Sequence, residues 1–200
     1  MKSIFSLLVC LVSFLPHGIA ADNPPGFQKL VIGDQAPDFK LPGIDDRDWS
    51  LSDFKDAKIL IVYFTSNHCP VCHAQDPRLL VLLKELADKS VAIVAINPNS
   101  GDGLRPDELG YSKYDDSFEH MKLYAKDEGF TFPYLYDGAT QSVAKSYGCL
   151  ATPHVFIFDQ SRSLRYQGWL DDSRFRMHRP SNDTMRKTPS WLCWKASLSP

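Results

Sequence analysis

The chain predicts an α/β fold in which a central mixed sheet is flanked by helices. Two runs carry that expectation. Ile59-Leu60-Ile61-Val62-Tyr63-Phe64 and Val91 to Ile96 are continuous apolar stretches rich in β-branched residues, the pattern of strands buried on both faces. Between them Leu79, Leu82, Leu83 and Leu86 recur at helical spacing. Strand, helix, strand in this order makes a right-handed βαβ unit. The composition agrees: 200 residues, 44% hydrophobic, 23% charged, with a formal net charge of −2. Those values exclude a collagenous, coiled-coil or wholly disordered chain and leave no electrostatic footprint for a nucleic-acid partner.

Lys2, the apolar run Ile4 to Leu15, Pro16 and then Gly18-Ile19-Ala20 have the form of a secretory signal peptide over residues 1–20. The run is short for a bilayer span, and an uncleaved anchor is the alternative. Cys10 makes a poor lipid-attachment site because Val9 stands where a small residue is wanted. Cleavage after Ala20 leaves Cys69, Cys72, Cys149 and Cys193 in an exported chain, periplasmic or secreted, where disulfides persist. Such a chain keeps no membrane span. Residues 21–32, with Pro24-Pro25, read as an extended leader, and residues 33–173 as the folded domain.

Within the domain, Phe39 and Leu41 alternate with polar residues, Ile44 to Asp48 turns, and Trp49 and Leu51 resume the alternation, so an N-terminal hairpin is expected. Ser52 or Asp53 is placed to cap one helical turn through Phe54. After the first buried strand a helix is expected from about Cys69 to Lys89, kinked at Pro77. Asn97 to Asp116 is polar and longer than an ordinary connection, which suggests an insertion near a site. Asp116 or Ser117 caps a helix to about Glu128. A strand over Phe132 to Tyr136 and a helix from Thr140 to Tyr147, ended by Gly148, come next. Val155 to Phe158 is a third buried strand, and Leu164 to Gly168 returns antiparallel to it.

The chemistry lies in Cys69-Pro70-Val71-Cys72. Two intervening residues at a helical start bring two sulfurs within disulfide reach. A helix N-terminus offers unpaired N–H groups and the positive end of the dipole, both of which stabilise a thiolate. Cys69, at the exposed end, is the expected attacking thiol, and Cys72, one turn inward, the resolving one. Pro70 at the first helical position loses no hydrogen bond. His68 and His73 flank the pair, and either ring, when protonated, favours the Cys69 thiolate; each is otherwise a solvated surface residue. Other readings of the pair are open. A structural zinc site needs four ligands, and no second close cysteine pair exists. An inert disulfide is unusual at a helix start. A Cu(I) site from Cys69, Cys72 and a histidine such as His154 is chemically reasonable.

Ala151-Thr152-Pro153-His154 stands just before an apolar strand. Together with the Cys-x-x-Cys unit it resembles the cis-proline loop of the thioredoxin fold. Gly33-Asp34-Gln35-Ala36-Pro37-Asp38-Phe39 and Leu51 to Lys55 resemble the entry of the thioredoxin-like redoxins of the AhpC/TSA type, and the likeness extends from about Gly33 to Ser173. The resemblance implies a thioredoxin-like fold, with Pro153 as the cis-proline and Thr152 offering its backbone to substrate. It also implies exchange between thiols and disulfides of proteins or small molecules, served by a redox partner and needing no cofactor beyond the cysteine pair. Peroxiredoxins of the same superfamily carry a Pro seven residues and a Thr three residues before the attacking Cys. Here those places hold Val62 and Ser66, and Thr152-Pro153 stands where they have an Arg. Thiol–disulfide exchange is therefore favoured over peroxide reduction. Cys149, four residues before Pro153, is either an accessory thiol or a buried small apolar residue.

Residues 174–200 depart from this pattern. Arg174, Arg176, Arg179, Arg186, Lys187 and Lys195 face Asp183 alone, with three prolines and no helical apolar period. A redoxin of this kind closes with an amphipathic helix. The alternatives here are a change of reading frame near Phe175 or a basic, irregular tail. A missing helix would expose apolar sheet surface, partly covered by Trp191 and Trp194.

Overall fold

A computed structural model describes residues 23–87, 89–104, 107 and 112–171. The proposed signal peptide and the basic tail, with Cys193, Trp191 and Trp194, lie outside the described residues. Seven strands and three α-helices are described: β1 Lys40–Pro42, β2 Asp48–Ser50, β3 Ile59–Phe64, α1 Pro70–Leu86, β4 Val91–Asn97, α2 Phe118–Glu128, β5 Tyr134–Tyr136, α3 Ser142–Tyr147, β6 His154–Phe158 and β7 Leu164–Gly168.

The five long-range strands form one mixed sheet in the order β5-β4-β3-β6-β7. β3 pairs parallel with β4 and antiparallel with β6, so it lies at the centre, and all six of its residues are buried. Its alternation sorts the core into two layers. Leu60, Val62 and Phe64 point to one face with Val94, Ile96, Phe156, Phe158 and, from α3, Val143, Ala144 and Tyr147. Ile59, Ile61 and Tyr63 point to the other, with Leu79 of α1 and Met121, Tyr124 and Ala125 of α2. This is the expected mixed sheet flanked by helices. The large exposed apolar residues among those described are Val31, Ile32, Leu123 and Leu150, none of them in a strand.

The N-terminal segment does more than lead in. Gly33 N–H bonds Leu164 O and Leu164 N–H bonds Asp34 O, along the outer side of β7. Phe39 and Leu41 then cross the first core layer, and Ile44 N–H bonds Tyr134 O on the outer side of β5. The hairpin is present as β1 against β2. The leader also packs, since Leu30 is buried in the core.

Several boundaries differ from expectation, each for a local reason. α1 begins at Pro70, because Cys69 keeps an extended conformation and serves as the N-cap, and it ends at Leu86. The turn through Phe54 is a 3₁₀ helix capped by Ser50, which exchanges hydrogen bonds with Asp53 in a capping box. Ser117 alone caps α2; Asp116 is buried and engaged elsewhere. β5 starts at Tyr134, after Pro133, which has no N–H to give. α3 starts at Ser142, where Asp137 accepts hydrogen bonds from the Val143 and Ala144 N–H groups at 3.2 and 2.8 Å. β6 begins one residue earlier than expected, at His154.

Gly148 and Gly129 end α3 and α2 with φ +69° and +74°. A Cβ at Gly148 would lie 2.1 Å from the Gln28 carbonyl oxygen, whereas one at Gly129 would meet nothing. Gly129→Ala should cost about 1 kcal/mol, the left-handed backbone alone. Gly148→Ala should cost clearly more, because the leader must also move. Urea denaturation of the two variants measures the difference, and equal losses would contradict the close approach.

Candidate active site

β3 runs directly into Thr65-Ser66-Asn67, and these three polar residues remain fully buried. A buried polar group must find partners. Asn67 finds them on every side. Its backbone N–H donates to Asp116 Oδ1 at 2.7 Å and its Nδ2 to Asp115 O at 2.7 Å. Its Oδ1 accepts from Tyr134 OH at 2.9 Å, and its carbonyl accepts from Ser112 Oγ at 3.0 Å and His73 Nε2 at 2.6 Å. The polar segment expected as an insertion near the site is thereby held against it.

The chain then presents His68 and Cys69 at the mouth of α1. Cys69 is partly exposed and Cys72 fully buried, and both are free thiols. Cys69 Sγ lies 3.6 Å from the carbonyl oxygen of Thr152, and the Thr152–Pro153 peptide is cis. The cis-proline loop thus sits beside the cysteine pair although 83 residues separate Cys69 from Thr152. Ser66 Oγ stands 2.9 Å from Thr152 Oγ1 and 3.8 Å from Cys72 Sγ. That hydroxyl joins the loop to the inner thiol.

The two sulfurs have opposed environments. A hydrogen bond from the Cys72 thiol is the strongest influence on Cys69 and favours its thiolate; burial opposes it; the N–H groups of Cys72 and Val71 and the charge of His68 add to the lowering. The result is a thiol brought down to about 6. Burial pushes Cys72 well up, and its neighbours Cys69 and Asp76 push the same way. One sulfur is therefore ready to attack near neutrality while the other holds its proton.

The remaining expected residues divide. His68 Nδ1 donates to Asp116 Oδ2 at 2.6 Å. His73 gives its Nε2 proton to the Asn67 carbonyl and sets its ring edge-on to Tyr124. Cys149 is buried, its Sγ 3.4 Å from Ala151 O, and burial pushes it up to about 12; this is the environment of a small apolar residue. His154 stacks on Phe156. Among the described residues no group of three or more His, Cys, Asp or Glu side chains is gathered as metal ligands.

Two carboxylates escaped the sequence reading. Asp116 is one. Asp76 is the other: it is fully buried on α1, one turn beyond Cys72, and accepts from Tyr63 OH at 2.8 Å and Tyr124 OH at 2.5 Å. Burial drives its carboxyl up to about 7 against those two hydrogen bonds. A signal was present, since position 76 shares the buried stripe with Cys72 and Leu79.

The profile of the AhpC/TSA family matches residues 32–167. The thioredoxin-like protein YneN of Bacillus subtilis is 30% identical over 154 residues, which cover 77% of this chain and 81% of that one. The thiol-disulfide oxidoreductase ResA of Geobacillus thermodenitrificans is 24% identical over 159 residues, covering 80% and 81%. The crystal structure of a hypothetical protein from Sinorhizobium meliloti superposes with a TM-score of 0.69 at 32% identity, covering 84% and 87%.

Asp76 makes a linkage prediction. Its folded carboxyl sits above the ordinary value of 3.8, so between about pH 4 and 7 the folded state binds a proton that the unfolded chain has released. This group therefore costs stability as pH rises through that window. In Asp76→Asn the amide can accept from one tyrosine and donate to the other, and the cost is gone. Relative to wild type, the variant should gain on the order of 3 kcal/mol between pH 4.5 and 8, read from urea midpoints. A pH-independent difference would show that Asp76 is not held protonated.

Proposed function

The chain belongs to the AhpC/TSA family, and from that premise we propose that it is an exported thiol–disulfide oxidoreductase in which Cys69 attacks and Cys72 resolves. The observation that carries the reading is the Cys69 sulfur, lowered to about 6 at the start of α1 and 3.6 Å from the Thr152 carbonyl in the cis-proline loop. The likeness to ResA, named for this reaction class, supports it.

In the reducing direction the Cys69 thiolate attacks one sulfur of a protein or small-molecule disulfide. A Cys69–substrate bond forms, the substrate S–S bond breaks, and the departing sulfur leaves with the electron pair and takes a proton from water. Cys72 then loses its proton and attacks Cys69 Sγ. The second substrate sulfur leaves, and the pair closes as a disulfide, two electrons having passed to the substrate. The oxidising direction is the reverse. A redox partner resets the pair. Thr152 and Pro153 line the entry, where an extended substrate backbone can lie beside the attacking sulfur. The cysteine pair serves as the redox centre without a further cofactor.

Export rests on residues 1–20, which carry the signal-peptide pattern, and a periplasmic or secreted location follows from it. Among the described residues no helix is long and apolar enough to cross a membrane. Exchange is preferred to peroxide reduction because Val62 and Ser66 stand where peroxiredoxins carry Pro and Thr. The Ser66 hydroxyl moreover engages Thr152.

The test is reduction of insulin disulfides. Wild type should be active and Cys69→Ser inactive, while Cys72→Ser should accumulate a mixed disulfide at Cys69. Alkylation of Cys69 should be half-maximal near pH 6, against about 8.5 for free cysteine. Peroxide consumption that survives Cys72→Ser would point instead to a peroxidase. Tight Cu(I) binding through both cysteines, with no exchange by wild type, would point to a metal carrier.

A further inference from the structure

Asp116 is buried, yet it is not used to cap the helix that begins two residues later. Its Oδ1 accepts from Asn67 N–H at 2.7 Å and from Asn97 Nδ2 at 3.2 Å. Its Oδ2 accepts from Asn99 Nδ2 at 2.8 Å and from His68 Nδ1 at 2.6 Å. Three of these donors are neutral amides. A buried carboxylate is tolerated when an opposite charge is held against it. Among the described residues, the partner of Asp116 that can supply that charge is His68, the residue bonded directly to Cys69.

We propose that Asp116 is a positioning residue for the exchange reaction, acting through His68: the carboxylate holds the Nδ1 proton, and the ring so fixed keeps its positive charge beside the Cys69 sulfur. The inference rests on the reading of Cys69 as the attacking thiol. Every contact printed for the two Asp116 oxygens is to a nitrogen able to donate, so the shared proton is placed on Nδ1 and the tautomer is set by Asp116. The same carboxylate fixes the Asn67 N–H, and so anchors the backbone two residues before the sulfur. The Cys69 proton leaves to solvent and the ring keeps its charge, so the thiolate and the carboxylate share one cation. The charge of His68 does act on Cys69 in the direction of the thiolate. Other titratable groups face this cluster: Cys72, His73 and Asp76 from α1, Asp115 ahead of α2, His120 on α2 and Tyr134 on β5. Cys72 acts more strongly on Cys69 than His68 does, so loss of Asp116 should weaken the thiolate without abolishing it.

The experiment is the pH profile of Cys69 alkylation in the reduced full chain, located by mass spectrometry, for wild type, Asp116→Asn, His68→Gln and the double variant. Asp116→Asn should move the midpoint upward and slow alkylation at pH 6.5 about fivefold. His68→Gln should do the same, and adding Asp116→Asn to it should change nothing further. An unmoved midpoint would overturn the proposal, as would an equal shift in both backgrounds, which would mean that Asp116 acts by holding the loop alone. Should Asp116→Asn fail to fold, the wild-type protein still decides: ¹⁵N correlations of the His68 ring at pH 7 should show a proton on Nδ1, and a bare Nδ1 overturns the assignment. Alkylation uses no disulfide substrate. Failure of insulin reduction with an intact His68-dependent profile would sink the exchange activity and leave the relay, and the reverse pattern would do the opposite.

Discussion

The central strand has no face to spare for water, and its polar continuation inherits that burial. Thr65, Ser66 and Asn67 follow Phe64 into the interior, and a buried amide or hydroxyl without partners costs about 1–3 kcal/mol each. Asn67 meets this constraint by drawing in groups from three other parts of the chain: Ser112, Asp115 and Asp116 from the segment ahead of α2, Tyr134 from β5, and His73 from the first turn of α1. The polar segment ahead of α2 is consequently a wall of the site. The position of Cys69 follows, because its backbone emerges from a node that cannot shift without leaving several donors and acceptors unpaired.

From that fixed point the chemistry is built by contrast. Two cysteines one helical turn apart would be equivalent in a free peptide. Here one sulfur meets N–H groups, a thiol donor and an imidazole near the surface, and the other is fully buried, with the Ser66 hydroxyl and the charge of Asp76 near it. Cys69 gives up its proton more readily because the Cys72 thiol, the N–H groups of α1 and the His68 charge favour its thiolate, whereas burial penalises the thiolate of Cys72. Ser66 spans the gap between the inner thiol and the cis-proline loop, so the strand, the helix and the loop converge on a few ångströms of space.

How much of this could be read from the amino-acid order depends on range. Cys69 and Cys72 were legible because their spacing and their setting after an apolar run are local facts, and Thr152 and Pro153 through the resemblance to the cis-proline loop of the thioredoxin fold. The buried strands were legible because six consecutive apolar residues leave few alternatives. Asp116 was not, since it reads as one of two candidate caps, and only the tertiary fold shows that Ser117 takes that duty while Asp116 serves His68, 48 residues away. His73 looked equivalent to His68 by adjacency, but helical geometry turns it toward the Asn67 carbonyl. The leader looked detached because its prolines suggested an extended chain, yet Leu30 and the Gln28 backbone find partners in the core and on α3. The start of α3 moved from Thr140 to Ser142, where Asp137 from a preceding turn accepts from the first N–H groups.

The path of residues 33–44 has a consequence for how molecules of this kind behave in crowded surroundings. A five-stranded open sheet has two flanks, each a row of amides and carbonyls able to template a further strand from another molecule. One length of backbone reaches the outer side of β7, traverses the apolar layer and docks on the outer side of β5, so the same dozen residues occupy part of both flanks. Lateral polymerisation is thereby discouraged at each end by a single strap. Detaching it, by proteolysis or local fraying, would unmask both templating surfaces at once.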